Sequence, residues 1–99
     1  MARFDVFRYE SGSGYLLDVQ SDLLSGLSTR VVVPLLPLDR APAPAERLNP
    51  VFTVESTEVV MATQFMAAVP GGELGSRVAN LSERQQAISA ALDMLFLGF

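Results

Sequence analysis

The chain has 99 residues and a formal net charge of −4, with seven basic residues that are all arginine and no histidine or cysteine. Without imidazole, thiol or lysine side chains, an imidazole general base, thiol nucleophiles, Schiff bases and histidine or thiolate metal sites are excluded. We therefore expect a protein that is not an enzyme and that holds no cofactor and no metal. Its length suits a single domain, residues 1–99, and is too short for two cores.

Charge and composition also limit the partners. Nucleic-acid-binding proteins normally carry a basic patch, whereas this chain is acidic and its arginines are scattered, so direct binding to DNA or RNA is not expected. Hydrophobic residues make up 49% of the chain, and a small domain this rich in apolar residues tends to bury some of them between subunits, which favours a homodimer. The sequence contains no N-terminal export signal and no apolar run long enough for a bilayer, so we expect a cytoplasmic protein without membrane contact.

Mixed polar and apolar residues, with many aromatic and β-branched side chains, predict strands along most of the chain. The predicted strands are Arg3–Tyr9, Tyr15–Val19, Arg30–Leu36, Pro50–Glu55 and Glu58–Gln64. The first two form a hairpin around a turn at 11–14, and the last two form one around Ser56–Thr57. Pro34 cannot donate to a strand ladder, so we expect it at an edge, at a bulge or at the end of its strand.

The segments between these strands and the end of the chain carry many turn signals. Three prolines in Pro37–Pro44 predict an extended surface loop. Met66–Val69 ends at the strong stop Pro70–Gly72, and Leu74–Val78 fits either a short strand or a turn.

A helix is predicted over Ser82–Leu97, where apolar residues recur at helical spacing and the first four residues have the S-x-x-Q form of a capping box. Several short strands followed by this helix predict an α+β fold, a mostly antiparallel β-sheet or small SH3-like barrel with one C-terminal α-helix. A helix has one inward stripe, so the consecutive apolar residues near its end cannot all face the core. We therefore expect a partner, either at a recognition surface or within a dimer interface alone, to contact some of Met94, Phe96, Leu97 and Phe99.

Charged residues offer two further candidates for a site. Asp18 and Asp22 could bind a hard cation or act as an acid/base pair, although aspartates at strand ends and turns more often bond to their own backbone. Arg30, Arg77 and Arg84 could form an anion pocket after folding, although isolated arginines are more often solvated or in weak surface pairs. The sequence alone does not bring either set together.

Several leucine and methionine residues could lie either in the core or on the surface. Leu23 and Leu24 follow a polar turn and are either core residues or an exposed patch that joins the helix end. Met61, Met66 and Met94 are most simply explained as flexible core filler.

Four segments of the chain follow a pattern that is typical of one protein family. They are Tyr15–Leu24 with its D-V-Q-S-D run, Arg30–Leu35, Val69–Pro70 and the stretch from Leu81 to Phe99. With them the chain resembles the CcdB toxins, the toxin halves of bacterial plasmid-addiction and chromosomal toxin–antitoxin pairs. The resemblance implies an antiparallel β domain with a C-terminal helix, a two-fold dimer and no cofactor or catalysis. It also implies a cognate antitoxin, and a toxin that binds the A subunit of DNA gyrase and traps its cleaved complex with DNA.

By matching positions, the resemblance also implies which residues contact gyrase: Leu23, Leu24, Asp93, Phe96, Leu97, Gly98 and Phe99. The chain departs from the family's gyrase poisons at two of them, with Leu97 where they carry tryptophan and Asp93 where they carry asparagine. A leucine keeps apolar area but lacks the flat indole face that stacks on an arginine. Two alternatives remain: an endoribonuclease toxin of a related fold, and a non-toxic homodimer that only binds antitoxin.

Overall fold

The computed structural model describes residues 2–9, 14–41 and 43–99 and places their strands in one sheet. The strands and the α-helix of this part of the chain are β1 Asp5–Arg8, β2 Tyr15–Asp18, β3 Thr29–Pro37, β4 Val51–Val54, β5 Thr57–Met61, β6 Ala67–Pro70, β7 Arg77–Asn80 and α1 Gln85–Leu97. The strand order is β4-β5-β3-β2-β1-β7, with β6 also paired to β3. The sheet curls into a half-barrel, which confirms the α+β class and the single C-terminal helix. Within the described ranges, no helix is long and apolar enough to cross a membrane.

The core lies between one face of the sheet and α1. Leu17 of β2, Val33 of β3 and Met61 of β5 have no exposed surface, and neither have Ile88 and Ala91 of the helix. Side chains alternate between the two faces of a strand, which turns every second residue of β2 and β3 toward the helix. Burying a large apolar side chain contributes roughly 1.5–3 kcal/mol, so these contacts fix the middle of α1 on the sheet.

Pro34 lies in the middle of β3 and not at an edge, a bulge or the strand end. On one side, β3 pairs with β2 and places Pro34 opposite Leu16. On the other side, β6 pairs with β3 as far as Val32, and β5 pairs with it from Leu35 onward. The carbonyl of Pro34 accepts the Ala62 N–H on that second side at 2.9 Å, and the nitrogen of a strand residue faces the same neighbour as its carbonyl. Proline is tolerated because the partner strand changes at this position and no donor is needed.

The hairpin between β4 and β5 turns through Glu55 and Ser56, one residue earlier than the predicted Ser56–Thr57 loop. The two turn residues have positive φ values of 50° and 66°, as a two-residue type I′ turn requires. A side chain with a Cβ atom is disfavoured in this left-handed region, and glycine is not. The usual Asn-Gly signal of such a turn is absent here, which explains the shifted prediction.

Ser56→Gly is expected to raise the free energy of unfolding by about 0.5–1 kcal/mol, because glycine adopts positive φ without steric cost. Urea unfolding of the variant and the wild type measures the difference. Thr53→Gly is the matched control: this exposed position lies within β4, where glycine weakens a strand. A loss of stability in Ser56→Gly would contradict the turn conformation.

The helix begins at Gln85, and the predicted capping box is wrong. Ser82–Arg84 forms a 3-10 helix, and Arg84 occupies the N-cap of α1 without a side-chain hydrogen bond. The Ser82 N–H instead donates to the side-chain oxygen of Asn80 at 2.9 Å. This local bond turns the chain as it leaves β7, and the α-helix starts only after that turn.

Other predicted segments differ at their ends. β1 is shorter than the predicted strand Arg3–Tyr9, since Phe4, with a positive φ of 73°, lies before it. The ambiguous segment Leu74–Val78 contributes only the first residues of β7. Most of the predicted turn at 11–14, and Pro42 of the predicted proline loop, lie outside the described residues.

A polar network joins β1 to β7. Asp5 Oδ1 accepts hydrogen bonds from Arg77 Nε at 2.7 Å and from Asn80 Nδ2 at 2.8 Å. Its Oδ2 accepts the Ala2 N–H at 2.9 Å. Burial alone would raise the pKa of Asp5, but these hydrogen bonds outweigh it and hold the pKa below its usual value of 3.8.

Asp5 is expected to make the fold sensitive to acid. Because its pKa is lower in the folded than in the unfolded chain, its contribution to the unfolding free energy is complete above the unfolded pKa. That contribution is lost as the pH falls through the folded pKa. Asp5→Asn should therefore be less stable than the wild type at neutral pH and should lose less stability below about pH 4. Urea unfolding at several pH values measures both curves, with Asp39→Asn as an exposed control, and parallel curves for Asp5→Asn and wild type would contradict the prediction.

Candidate binding site

The last turn of α1 carries apolar side chains away from the core. Phe96, Leu97 and Phe99 are 69%, 59% and 73% exposed. The helix ends at Leu97 as predicted, and Gly98 closes it in the left-handed conformation at a φ of 81°. These three side chains thus lie outside the inward stripe of the helix, and the core of this chain does not use them.

A short segment between β2 and β3 presents a second set of apolar side chains, and we call residues 22–27 the leucine turn. Leu23, Leu24 and Leu27 are 94%, 49% and 55% exposed. The interpretation of Leu23 and Leu24 as core residues is therefore wrong, and the exposed alternative holds. The segment folds back on its own backbone, with the Leu24 N–H bound to the Ser21 carbonyl and the Leu27 N–H to the Leu24 carbonyl.

The leucine turn and the end of α1 meet in one apolar groove of about 410 Å³. Leu24 and Phe96, which are far apart in the sequence, both line this groove. Its apolar lining is Val19, Leu24, Leu27, Val31, Met66, Leu92 and Phe96. The other five residues that the resemblance assigns to gyrase contact are exposed to solvent: Leu23, Asp93, Leu97, Gly98 and Phe99.

The sequence does not indicate five of the apolar groove residues as binding residues: Val19, Leu27, Val31, Met66 and Leu92. Leu27 follows Gly26 in a polar segment, and nothing in the pattern separates it from an ordinary loop leucine. Met66 was assigned to the core, and it is half-buried between the core and the groove. Only the approach of β3, Met66 and α1 to the leucine turn gives these residues a shared surface.

Charges of both signs lie next to the groove, since Arg3 Nε donates to the carbonyl of the lining residue Val19 at 3.2 Å. Asp22 is the only charged residue of the leucine turn, and Asp93 is the only one in α1. Both are exposed, and Asp22 Oδ1 also accepts the Arg3 N–H at 2.8 Å. The surface beside the groove thus carries both acidic and basic side chains, so its charge alone does not select a partner.

Asp18 and Asp22 have different partners and form no shared site. Asp18 is fully buried, with Oδ2 at 2.8 Å from Arg30 Nε and at 2.6 Å from its Nη2. Its Oδ1 accepts the Gln20 N–H at 3.0 Å, which confirms the alternative of local backbone bonding. Across the described residues, no group of three or more His, Cys, Asp or Glu side chains could hold a metal ion.

The three candidate arginines do not form an anion pocket. The Arg30 side chain is 1% exposed, so its interpretation as a solvated surface residue is wrong. Burial raises the pKa of its partner Asp18, and the hydrogen bond from Arg30 offsets only part of that rise. Arg77 is bound to Asp5 instead, and Arg84 lies 4.8 Å from the centre of the Phe52 ring.

A second apolar groove, of about 390 Å³, lies over β2, β3 and β6. Tyr9, Leu16, Pro34 and Phe65 are among the residues that line it, and Phe65 is 53% exposed. It shares no lining residue with the groove at the leucine turn. Substitutions in the second groove therefore serve as controls for substitutions in the first.

Comparison with known proteins identifies the family. A family model described as CcdB protein matches residues 3–98 of the chain. The chain belongs to the CcdB family. The resemblance seen in the sequence is thus confirmed, and membership of the CcdB family makes the chain a toxin of a toxin–antitoxin system.

Solved structures share the fold of this CcdB family member. An endoribonuclease in complex with its cognate antitoxin, from a mycobacterial species, is 17% identical with a TM-score of 0.76, over 100% of this chain and 98% of that chain. An endoribonuclease from a mycobacterial species is 19% identical with a TM-score of 0.77, over 100% and 94% of the two chains. At these identities the similarity establishes the fold alone.

The two departures from the gyrase poisons of the CcdB family lie in the exposed surface. Leu97 is 59% exposed, so its side chain is free to contact a partner even though it lacks an aromatic face. Asp93 is also exposed, and it presents a negative charge on this surface. Neither departure affects a buried residue, so both change the chemistry of the surface and not the fold.

Proposed function

We propose that this chain acts as a toxin by binding DNA gyrase, a type II topoisomerase, and poisoning or inhibiting it. The observation that carries the proposal is the exposure of Phe96, Leu97 and Phe99 beside the leucine turn. Full burial of a large apolar side chain by a partner contributes roughly 1.5–3 kcal/mol to the binding free energy. Membership of the CcdB family, together with the resemblance to its gyrase poisons, supports the gyrase A subunit as the partner of this surface.

This mode of action needs binding and no catalysis. A toxin that binds the cleaved complex of gyrase and DNA more tightly than the other states of the enzyme shifts the population toward that complex. The apolar groove and its exposed rim supply such binding energy without a general base, a nucleophile or a cofactor. We therefore propose that the chain is not an enzyme and that it does not contact nucleic acid directly.

A DNA supercoiling assay with purified gyrase tests the proposal. The protein is expected to inhibit supercoiling at micromolar concentration and to produce cleaved DNA after denaturation of the complex. No inhibition and no cleaved DNA at this concentration would reject the proposal.

Leu97→Trp is expected to strengthen gyrase inhibition, because an indole adds apolar area and a face that stacks on a guanidinium group, a contact of about 0.5–2 kcal/mol. The half-inhibitory concentration should fall by a factor of about 2–30. Leu38→Trp provides a matched control, since Leu38 is also exposed and lies outside the groove. An equal gain for both variants would show that the added tryptophan acts nonspecifically.

Two further protein partners belong to the proposal. The first is a cognate antitoxin, in line with the similar mycobacterial structure, which is a complex with one. The second is another copy of this chain, since a homodimer would bury part of the exposed apolar surface. Analytical ultracentrifugation measures the dimer, and a monomer at micromolar concentration would contradict it. Because gyrase acts on the chromosome, we place the protein in the cytoplasm.

A second candidate function, RNA cleavage, is favoured by one observation: both similar structures are described as endoribonucleases. Cleavage would then depend on arginine and carboxylate side chains. Arg30 is buried in its ion pair with Asp18, whereas the Arg77 side chain is exposed, so Arg77 with its partner Asp5 is the better position to test. Incubation with mixed RNA decides: cleavage that is lost in Arg77→Ala would favour an endoribonuclease, and intact RNA favours binding alone.

The remaining alternative is a homodimer that binds antitoxin and is not toxic. Expression without antitoxin separates it from both candidates. Growth arrest would exclude this alternative, and normal growth at a verified level of folded protein would support it.

A further inference from the structure

The leucine turn has no buried side chain, and side-chain hydrogen bonds connect it to other parts of the chain. No residue of its 3-10 helix, Asp22–Leu24, is buried. A segment with so few buried contacts opens easily unless other interactions fix it. Yet Leu24 must stay beside Phe96 for the two to line one groove.

Gln20 supplies a tie between this turn and the sheet. Its side-chain Oε1 accepts the Val31 N–H of β3 at 3.1 Å, and its Nε2 donates to the Leu24 carbonyl at 3.0 Å. The side chain thus bridges a strand and the turn with both ends of one amide group. Gln20 is 6% exposed, so water does not readily replace these two bonds.

The buried ion pair of Asp18 and Arg30 also holds Gln20 in place. Asp18 Oδ1 accepts the Gln20 N–H, while Oδ2 is bound by Arg30. The backbone of Gln20 is therefore fixed to the same carboxylate that pairs with the arginine of β3. A continuous set of polar contacts runs from the sheet through Gln20 to the turn that carries Leu24.

We propose that Gln20 is a positioning residue that fixes the leucine turn against β3 and thereby sets the place of Leu24 in the binding groove. The part of this inference that concerns gyrase inhibition rests on the proposed function. Its structural part concerns the turn alone and is measured without gyrase.

Gln20→Met tests the inference, because methionine keeps the length of the side chain and removes both hydrogen bonds. Amide hydrogen exchange followed by NMR should show the Leu24 and Leu27 amides exchanging about tenfold faster, since the turn opens more often. The Val33 amide in the middle of β3 should be unchanged after correction for global stability. Gyrase inhibition by Gln20→Met should weaken about tenfold.

Gln86→Met is the matched control. Gln86 is exposed in the first turn of α1, ten residues before Phe96, which is about 15 Å along a helix axis. This variant should leave both the exchange of the leucine turn and gyrase inhibition at wild-type values. A change in either by the same factor as in Gln20→Met would overturn the inference.

The remaining outcomes separate the inference from the proposed function. Unchanged exchange at Leu24 and Leu27 in Gln20→Met overturns the positioning role, and faster exchange with undiminished gyrase inhibition overturns its link to binding. If the wild type does not inhibit gyrase, the proposed function fails, and the exchange rates still decide whether Gln20 holds the turn. If Gln20→Met does not fold, Gln20→Asn takes its place, because its shorter amide reaches at most one of the two partners.

Discussion

Phe96→Ala is expected to weaken gyrase inhibition by about 30-fold or more, because truncating an aromatic anchor at an interface costs about 2 kcal/mol or more. Phe96 lines the groove beside Leu24 and is still 69% exposed. A partner can therefore bury most of this ring, whereas the isolated chain gains little stability from it. The half-inhibitory concentration in the supercoiling assay measures the loss, and thermal unfolding verifies that the variant is folded.

Phe65→Ala provides the matched control for this prediction. Phe65 is 53% exposed and lines the second groove, so the change removes the same ring from a comparable environment elsewhere. This variant should inhibit gyrase as the wild type does. If Phe96→Ala inhibits gyrase as strongly as the wild type does, the groove is not part of the binding surface. An equal loss of inhibition in both variants would indicate a general effect of exposed phenylalanine.

The helix and its exposed end could be predicted because the signal is local. The inward residues Ile88 and Ala91 are set by helical periodicity, and periodicity also shows that Phe96 and Leu97 have no place in that stripe. The start of the helix depends on the side chain of Asn80, which competes with the expected cap. Such competition between neighbouring polar groups is decided by geometry that the sequence pattern does not contain.

The groove could be predicted only in part. The family resemblance indicates both Leu24 and Phe96, but their place in one groove depends on how the leucine turn lies against β3 and α1. For Leu23 and Leu24 the sequence leaves a choice between the core, where leucine is usually buried, and an exposed patch. The hydrogen bonds of Gln20, which connect residues on different elements, leave the two leucines outside the core.

The position of Pro34 shows the same limit for the sheet. A proline inside a strand normally indicates an edge, because its missing N–H would break a ladder. Here the neighbour of β3 changes from β6 to β5 at this residue, so no ladder bond is lost. A single strand that serves two partners end to end has no signature in its own sequence.

Arg30→Met is expected to lower the free energy of unfolding by about 3–5 kcal/mol, because it leaves the carboxylate of Asp18 buried without its cation. The side chains of both residues are at most 1% exposed, so solvent cannot compensate. Urea unfolding at neutral pH measures the loss. Arg8→Met is the control, since the exposed pair of Arg8 with Glu55 should contribute less than about 1 kcal/mol.

The pH dependence of the stability defect and a double variant distinguish two causes: a buried carboxylate without its cation, and the loss of the packing contacts of Arg30. Burial already raises the pKa of Asp18, and removing Arg30 raises it further, so the folded chain binds a proton more readily than the unfolded chain. The defect of Arg30→Met should therefore shrink as the pH falls from neutral toward the unfolded pKa of Asp18. Asp18→Asn combined with Arg30→Met removes the charge and keeps an oxygen for the Gln20 N–H, and it should recover most of the lost stability at neutral pH. A defect that is independent of pH and persists in the double variant would mean that the arginine acts through packing and that the buried charge costs little.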